Sequence, residues 1–185
     1  SIKFSLADEV LSKSKLTDKH VAELSDELKK SVAKRHGLWT KMQLPPEKLI
    51  PDANILFSFF KSDSVRRHLI EKLLNNGCEL ISPSFVFKEL LLRRDRIIKF
   101  SDISKQDFEI AFSLLEESVT SLSKDSYSDF LSVANKITPH KEDTKDDPYF
   151  ASALALNLPI WSDEKAFEQQ SEVKIFSTKR LLGML

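Results

Sequence analysis

Apolar positions in residues 49–185 follow two periods. Short apolar runs have the pattern of buried strands, and the stretches between them repeat apolar residues every three or four positions, as amphipathic helices do. Strands are predicted at 49–52, 78–82, 119–122, 159–161 and 173–176. Helices are predicted at 63–75, 83–99, 104–117, 125–137, 146–157 and 178–185, with a helical turn at 165–170. This alternation predicts an α/β fold with a parallel sheet covered on both faces.

Residues 1–47 have a different pattern. Thr17 is placed to cap a helix whose apolar residues recur at helical spacing, and Gly37 is placed to end it. The paired prolines 45 and 46 cannot continue that helix. We therefore expect a helical extension and linker over residues 1–47 and a second domain over residues 48–185.

The composition excludes several classes of protein. The chain has 28 basic and 28 acidic residues, so binding of nucleic acid requires a local basic patch. With three glycines it has no glycine-rich phosphate loop of the dinucleotide or Walker type. The single cysteine, Cys78, indicates a reducing compartment, and no apolar run is long enough to span a membrane. We expect a soluble cytoplasmic protein without a membrane partner.

Acidic residues stand where predicted strands end or helices begin. Four separate segments supply them: Asp52, Glu89, Asp146 with Asp147, and Asp163 with Glu164. Ligands of open parallel sheets bind outside the carboxyl ends of the strands. Carboxylates brought together there repel one another unless a cation lies between them, and oxygen ligands favour Mg²⁺ or Mn²⁺. Such an ion polarises a phosphate and supplies hydroxide near neutral pH.

Each of these acids also has a purely structural interpretation. Asp52 can cap the turn that follows its strand, and Glu89 can lie on a solvated helix face. The paired acids can complement helix dipoles. Their joint placement at strand ends favours a shared site.

Four segments of residues 48–185 resemble the PIN domain family, and most closely archaeal PIN proteins related to VapC-type toxins. These segments are PDANILFSFF, SPSFVFKEL, DTKDDPYFASALALNLPIWSDEKAF and VKIFSTKRLL. The resemblance implies a three-layer α/β/α fold with four or five parallel strands. It also implies an endoribonuclease that hydrolyses RNA with a water activated by Mg²⁺ or Mn²⁺.

Carried over from the family, the catalytic and metal-binding acids fall on Asp52, Glu89, Asp146 and the segment WSDE. Adjacent helical residues point about 100° apart, so Asp146 and Asp147 cannot be equivalent ligands. The D-x-x-D-D pattern that begins at residue 143 favours Asp146.

In WSDE, Ser162 takes the hydroxyl position of the family motif, which puts the usual acid at Glu164. Asp163 stands where the family often has another residue type, so both acids stay candidates for the fourth ligand. Asn54 and Ser162 are candidate supporting polar groups, with turn stabilisation as the alternative role.

Basic residues beside these acids are candidate RNA contacts: Lys88, Arg93, Arg94, Lys141 and Lys145. Clustered basic side chains near a metal site would bind phosphates, although an ordinary solvated helix face is the alternative. A catalytically weak or inactive PIN-fold module for RNA binding or scaffolding is the competing function, because the fourth acid departs from the family motif.

The resemblance also implies partners. The protein would be a toxin of a toxin–antitoxin system or an RNA-processing nuclease, with an antitoxin-like protein as partner, and it would form a homodimer. Residues 16–42 weakly resemble short antitoxin segments, so this part of the chain is a candidate inhibitor in cis, with Arg35 or a neighbouring lysine near the carboxylates. A packing helix is the alternative interpretation.

Overall fold

The computed structural model describes residues 44–139 and 144–185. The helix predicted before Gly37, the inhibitory segment 16–42 and the candidate RNA contact Lys141 lie outside these residues. The division between an extension and a second domain at residue 47 stays a prediction.

Five strands form one sheet in which every neighbouring pair is parallel. They are β1 (Lys48–Pro51), β2 (Glu79–Pro83), β3 (Val119–Leu122), β4 (Ile160–Trp161) and β5 (Ile175–Phe176). Their order is β3-β2-β1-β4-β5, so the chain builds one side of β1 first and then the other. This confirms the predicted parallel α/β sheet. It also puts the reversal of strand order between β1 and β4, where ligands of such sheets bind.

Eight α-helices flank the sheet within the described residues. They are α1 (Ala53–Phe57), α2 (Val65–Asn75), α3 (Phe85–Leu92), α4 (Arg94–Ser101), α5 (Lys105–Ser118), α6 (Leu131–Ile137), α7 (Asp147–Leu156) and α8 (Thr178–Leu182). Short 3₁₀ turns occupy Ser58–Phe60, Lys124–Ser126, Ser128–Phe130 and Lys165–Gln169. None of the helices in this part of the chain could cross a membrane.

The helices differ from the predictions at three places. The apolar stretch after Asp52 forms α1, which was not predicted. The helix expected over 83–99 is divided into α3 and α4 at Arg93, whose φ of −96° and ψ of 10° leave the helical range. The helix expected over 125–137 is two 3₁₀ turns followed by α6.

The first turn of α1 explains why an acidic residue interrupts the apolar run. Asp52 has an extended backbone, and its Oδ1 accepts a hydrogen bond of 2.8 Å from the N–H of Ile55. This is the contact of a helix N-cap, which satisfies a donor that the first turn leaves unpaired. The chain therefore leaves the strand at Pro51, and Ile55 and Leu56 enter the core from a helix.

The central strands are buried on both faces. Leu49, Ile50, Leu80 and Ile160 are fully buried, as expected for strands covered by helices on both sides. Trp161 at the end of β4 is also fully buried, and its Nε1 donates a hydrogen bond of 3.1 Å to the hydroxyl of Thr178. This contact ties the end of β4 to the start of α8.

Candidate active site

Asp52 lies at the carboxyl end of β1, beside the end of β4. Its N–H donates to the carbonyl of Trp161 at 3.0 Å, which keeps the two strand ends together. Its side chain is buried and accepts hydrogen bonds from the N–H of Ile55 and from Ser162. The first predicted acid is therefore held by the backbone at the reversal of strand order.

Burial raises the pKa of Asp52 to about 6. The hydrogen bonds from Ser162 and Ile55 and the positive charge of Arg66 act in the opposite direction, and the charge of Asp163 adds to the rise. A carboxylate that is removed from water and only partly compensated gains free energy when a cation binds to it.

The segment after β4 carries two acids with different surroundings. Oδ1 of Asp163 accepts from the N–H of Thr178 at 2.7 Å, and its Oδ2 accepts from the Thr178 hydroxyl at 2.6 Å and from Nε of Arg66 at 2.8 Å. Partial burial favours a higher pKa for Asp163, but these hydrogen bonds outweigh it and lower the pKa. The N–H of Glu164 donates to the Ser162 hydroxyl at 3.1 Å, and Glu164 lines the same cleft as Asp52.

The Tyr149 hydroxyl is a buried group that is subject to the charges of Asp52 and of two other predicted acids. Tyr149 is buried on α7 against the ring of Phe85, and among the described residues its hydroxyl has no hydrogen-bond partner. Burial holds the pKa of Tyr149 well above its usual value, and the negative charges of Glu89, Asp52 and Asp146 raise it further. The charges of these three carboxylates thus act on one buried hydroxyl.

Glu89 and Asp146 reach this region from two helices. Glu89 lies on α3, with a side chain that is 19 % exposed and 3.6 Å from the guanidinium of Arg93. Asp146 is the residue before α7. The charges of both acids act on the Tyr149 hydroxyl together with that of Asp52.

Asp147 has a different role from its neighbour. Its buried carboxylate accepts hydrogen bonds of 2.9 Å from the Asn135 amide and 2.6 Å from the Thr138 hydroxyl. Asp147 therefore ties the start of α7 to α6. The charge of Asp146, by contrast, raises the pKa of Tyr149.

The donor set suits a hard divalent cation, although the side chains are not drawn together around one point. Within residues 44–139 and 144–185, no three His, Cys, Asp or Glu side chains are arranged as ligands of one metal ion. The predicted acids are nevertheless all oxygen donors, which Mg²⁺ and Mn²⁺ prefer. The buried Tyr149 hydroxyl, which has no partner among the described residues, is a further polar atom that a hydrated ion can satisfy.

The predicted basic residues differ in their surroundings. Lys88 and Lys145 are exposed. Arg93 lies 3.6 Å from Glu89. Arg94 forms an ion pair of 2.7 Å with Glu109 and lies over the ring of Phe108, so it joins α4 to α5.

Sequence reasoning did not assign three residues that the structure puts at the site: Arg66, Tyr149 and Thr178. Tyr149 and Thr178 lie inside segments that resemble the PIN family, so position within those segments was an available signal. Arg66 lies on α2 and reaches Asp163 only in the folded chain, so the sequence carries no local sign of its role.

Comparisons with known proteins show the family and the fold of the chain. The family model of the PIN domain matches residues 50–182. The chain belongs to the PIN domain family. The fold of this PIN domain is similar to a chain in the crystal structure of VapBC2 from Rickettsia felis bound to a DNA fragment from their promoter. The TM-score is 0.53 at 12 % identity, over 70 % of this chain and 98 % of the other.

At that identity the similarity shows the fold alone. No curated protein matches the chain in sequence. Membership of the PIN family confirms the resemblance of the four segments and supports a nuclease. PIN nucleases generally use divalent metal ions.

Proposed function

We propose that this PIN domain is a metal-dependent endoribonuclease that hydrolyses RNA phosphodiester bonds with an activated water. The observation that carries the proposal is the buried hydroxyl of Tyr149, which has no partner among the described residues and on which the charges of Asp52, Glu89 and Asp146 act. Acidic residues alone have many explanations. A buried polar group under the influence of these charges makes a ligand-binding role the better one.

Asp52, Glu89 and Asp146 would hold Mg²⁺ or Mn²⁺, with Glu164 as the fourth acid. Asp163 already accepts three hydrogen bonds, so we assign it to positioning the segment after β4. When bound, the ion would polarise the phosphate and lower the pKa of a coordinated water.

The surroundings of Asp52 suit this role at neutral pH. Its pKa of about 6 leaves the carboxylate ionised above pH 7, and burial keeps competing water away from it. Ser162 orients the carboxylate and also accepts the N–H of Glu164, so it holds two of the assigned acids in register. Asn54, exposed on α1 and lining the cleft, is available to contact substrate.

RNA would approach over the helices that carry the acids. Lys88, Arg93 and Lys145 lie on or beside these helices, and Lys141 precedes Asp146 in sequence. Arg94 would contribute less, because it is paired with Glu109. Contacts of this kind neutralise phosphates and make binding dependent on salt.

The similarity of the fold to a chain of VapBC2 supports a place in a toxin–antitoxin system, with an antitoxin-like protein as partner. A homodimer is the assembly that the family resemblance implies. An RNA-processing nuclease is the other role for the same chemistry. The single cysteine agrees with a reducing compartment, and we assign the activity to the cytoplasm.

A second candidate function is an RNA-binding module without catalysis. The observation that favours it is the engagement of Asp163 by Arg66 and Thr178, together with the lack of a ready three-ligand group in the described residues.

One experiment separates the two functions. The full chain is incubated with end-labelled single-stranded RNA and Mn²⁺, and cleavage is followed by gel electrophoresis. The variants are Asp52→Asn, which keeps the shape and the helix cap, and Asp125→Asn, which changes an exposed aspartate on a 3₁₀ turn that does not line the cleft. We expect cleavage by the parent and by Asp125→Asn, and none by Asp52→Asn or with EDTA. RNA binding without cleavage in Mg²⁺ and Mn²⁺ would replace the nuclease with the binding module.

A further inference from the structure

A cleft of about 570 Å³ opens beside Asp52, and neither Glu89 nor Asp146 lines it. We call it the Phe100 cleft. Among the residues that line it are Asp52, Asn54, Phe57, Lys61, Arg66 and Phe100. Its volume is within the range of pockets that hold one small ligand, and its wall includes the buried carboxylate of Asp52.

Phe100, on α4, gives this cleft an unusual wall. Its side chain is 58 % exposed, although it shares the cleft with charged groups. Its ring centroid is 5.6 Å from that of Phe57, with 56° between the ring planes, so Phe57 supports it from the protein side. The supported ring presents apolar surface to the cleft at a fixed position.

One cation of the cleft, Lys61, lies next to that ring. Nζ of Lys61 lies 5.6 Å from the Phe100 centroid. Lys61 also lies 3.6 Å from Asp63, but both side chains are substantially exposed, and exposed ion pairs of this kind contribute little. The Lys61 ammonium can therefore exchange that contact for a phosphate. Arg66 adds a second positive charge at the Asp163 end.

An exposed aromatic ring beside an accessible ammonium is the combination that binds nucleotides of a single strand, since every base has a face that stacks and every linkage has a phosphate. We infer that the Phe100 cleft is a nucleotide subsite, in which a base stacks on Phe100 and its phosphate contacts Lys61. The next phosphodiester then lies toward Asp52. The inference rests on the proposed function for naming the strand as RNA.

Binding is measured by fluorescence anisotropy with a fluorescein-labelled single-stranded RNA of mixed sequence. Every chain in this assay carries Asp52→Asn to prevent cleavage, with Mg²⁺ present. Phe100→Ala should weaken binding by about tenfold or more, and Phe100→Trp should restore it. Phe130→Ala, at an exposed phenylalanine that does not line the cleft, is the matched control and should bind as the parent does.

Lys61→Ala should lower the salt dependence of binding by about one phosphate contact, whereas Lys124→Ala, at an exposed lysine outside the cleft, should not. An RNA that contains 2-aminopurine should lose fluorescence through stacking when it binds the parent or the Phe100→Trp variant. Phe100→Ala should remove that loss. Circular dichroism confirms that each variant is folded.

Equal RNA affinity for the parent, Phe100→Ala and Phe100→Trp chains overturns the subsite. A change in sedimentation of Phe100→Ala with unchanged RNA affinity also overturns it, because the ring then covers a protein contact. With Asp52 intact, cleavage at an unchanged KM in Phe100→Ala leaves the nuclease standing without this subsite. Phe100-dependent binding without any cleavage leaves the subsite standing without the nuclease.

Discussion

Arg66 and Asp163 are 97 residues apart in sequence, and a hydrogen bond of 2.8 Å joins Nε of the first to Oδ2 of the second. Asp163 also accepts two hydrogen bonds from Thr178. The same guanidinium favours the ionised form of Asp52. Arg66 on α2 therefore holds Asp163 in the segment after β4. It also favours the ionised form of Asp52, the acid after β1.

Removal of Arg66 should move the pH dependence of cleavage. In Arg66→Gln, Asp52 loses a positive charge that lowers its pKa, so its pKa rises from about 6. Because the ionised form is needed for metal binding, the acidic limb of the pH–rate profile should shift to higher pH. Arg67→Gln is the matched control, since Arg67 pairs with Glu71 on the same helix. An unchanged acidic limb in Arg66→Gln would show that Arg66 does not act on Asp52.

Asp163 and Glu164 should respond differently to neutralisation. Asp163→Asn loses the ionic contact with Arg66, and charge-assisted hydrogen bonds are worth roughly 1.5–3 kcal/mol, reduced here because the pair is partly exposed. We expect a lower urea midpoint for Asp163→Asn with the thermal shift by Mn²⁺ retained. Glu164→Gln should lose most of the Mn²⁺ shift. The reverse pattern would make Asp163 the fourth ligand.

Asp52→Asn should stabilise the metal-free protein at pH 8. The folded pKa of about 6 lies above the ordinary value of 3.8, so the folded state binds the proton more tightly, and stability falls as pH rises between those values. Above pH 7 the ionised group costs roughly 3 kcal/mol, because a difference of one in pKa corresponds to about 1.4 kcal/mol. Asparagine keeps the helix cap without the charge.

Thermal unfolding at pH 8 and pH 4 in EDTA checks this prediction. The melting temperature of Asp52→Asn should exceed that of the parent at pH 8 and match it at pH 4. Asp52→Ala, which loses the cap, serves as the comparison and should gain less at pH 8. Equal melting temperatures for parent and Asp52→Asn at both pH values would contradict the buried charge.

Tyr149→Phe should separate stability from activity. The buried hydroxyl has no partner among the described residues, so its removal should leave the free energy of unfolding unchanged or raise it by about 1 kcal/mol. Cleavage should fall, since the charges of the assigned ligands Asp52, Glu89 and Asp146 act on this hydroxyl. Tyr127→Phe, at the other tyrosine of the chain, should leave cleavage unchanged. Full activity in Tyr149→Phe would assign the hydroxyl to packing alone.

Asp146, which precedes α7, and Asp147, its first residue, should respond differently to substitution by alanine. Asp147→Ala removes the acceptor of Asn135 and Thr138 from a buried position, so we expect a loss of about 1–3 kcal/mol in unfolding free energy. Asp146→Ala should weaken the Mn²⁺ response. Urea unfolding with and without Mn²⁺ measures both quantities. Loss of the metal response in Asp147→Ala alone would exchange the two assignments.

Local pattern was sufficient for much of the fold. Strands buried on both faces appear as short apolar runs, and each of the five runs forms a strand of the parallel sheet. The order of four short motifs was sufficient for the PIN family. Helix α1 was harder to predict, because the residues after Asp52 are as apolar as those of a strand. The hydrogen bond from the N–H of Ile55 to the Asp52 side chain caps a helix there. The break at Arg93 also has no proline or glycine to mark it.

The sequence by itself determined the alternation of strands and helices, the family and the positions of acids at strand ends, because these depend on residues close along the chain. Only the tertiary structure decided which atoms face one another. Packing between separate elements brings Arg66 to Asp163 and Asn135 to Asp147. It also leaves Phe100 exposed beside Lys61. Interactions through space depend on distance and burial, and neither quantity is written in the spacing of residues along the chain.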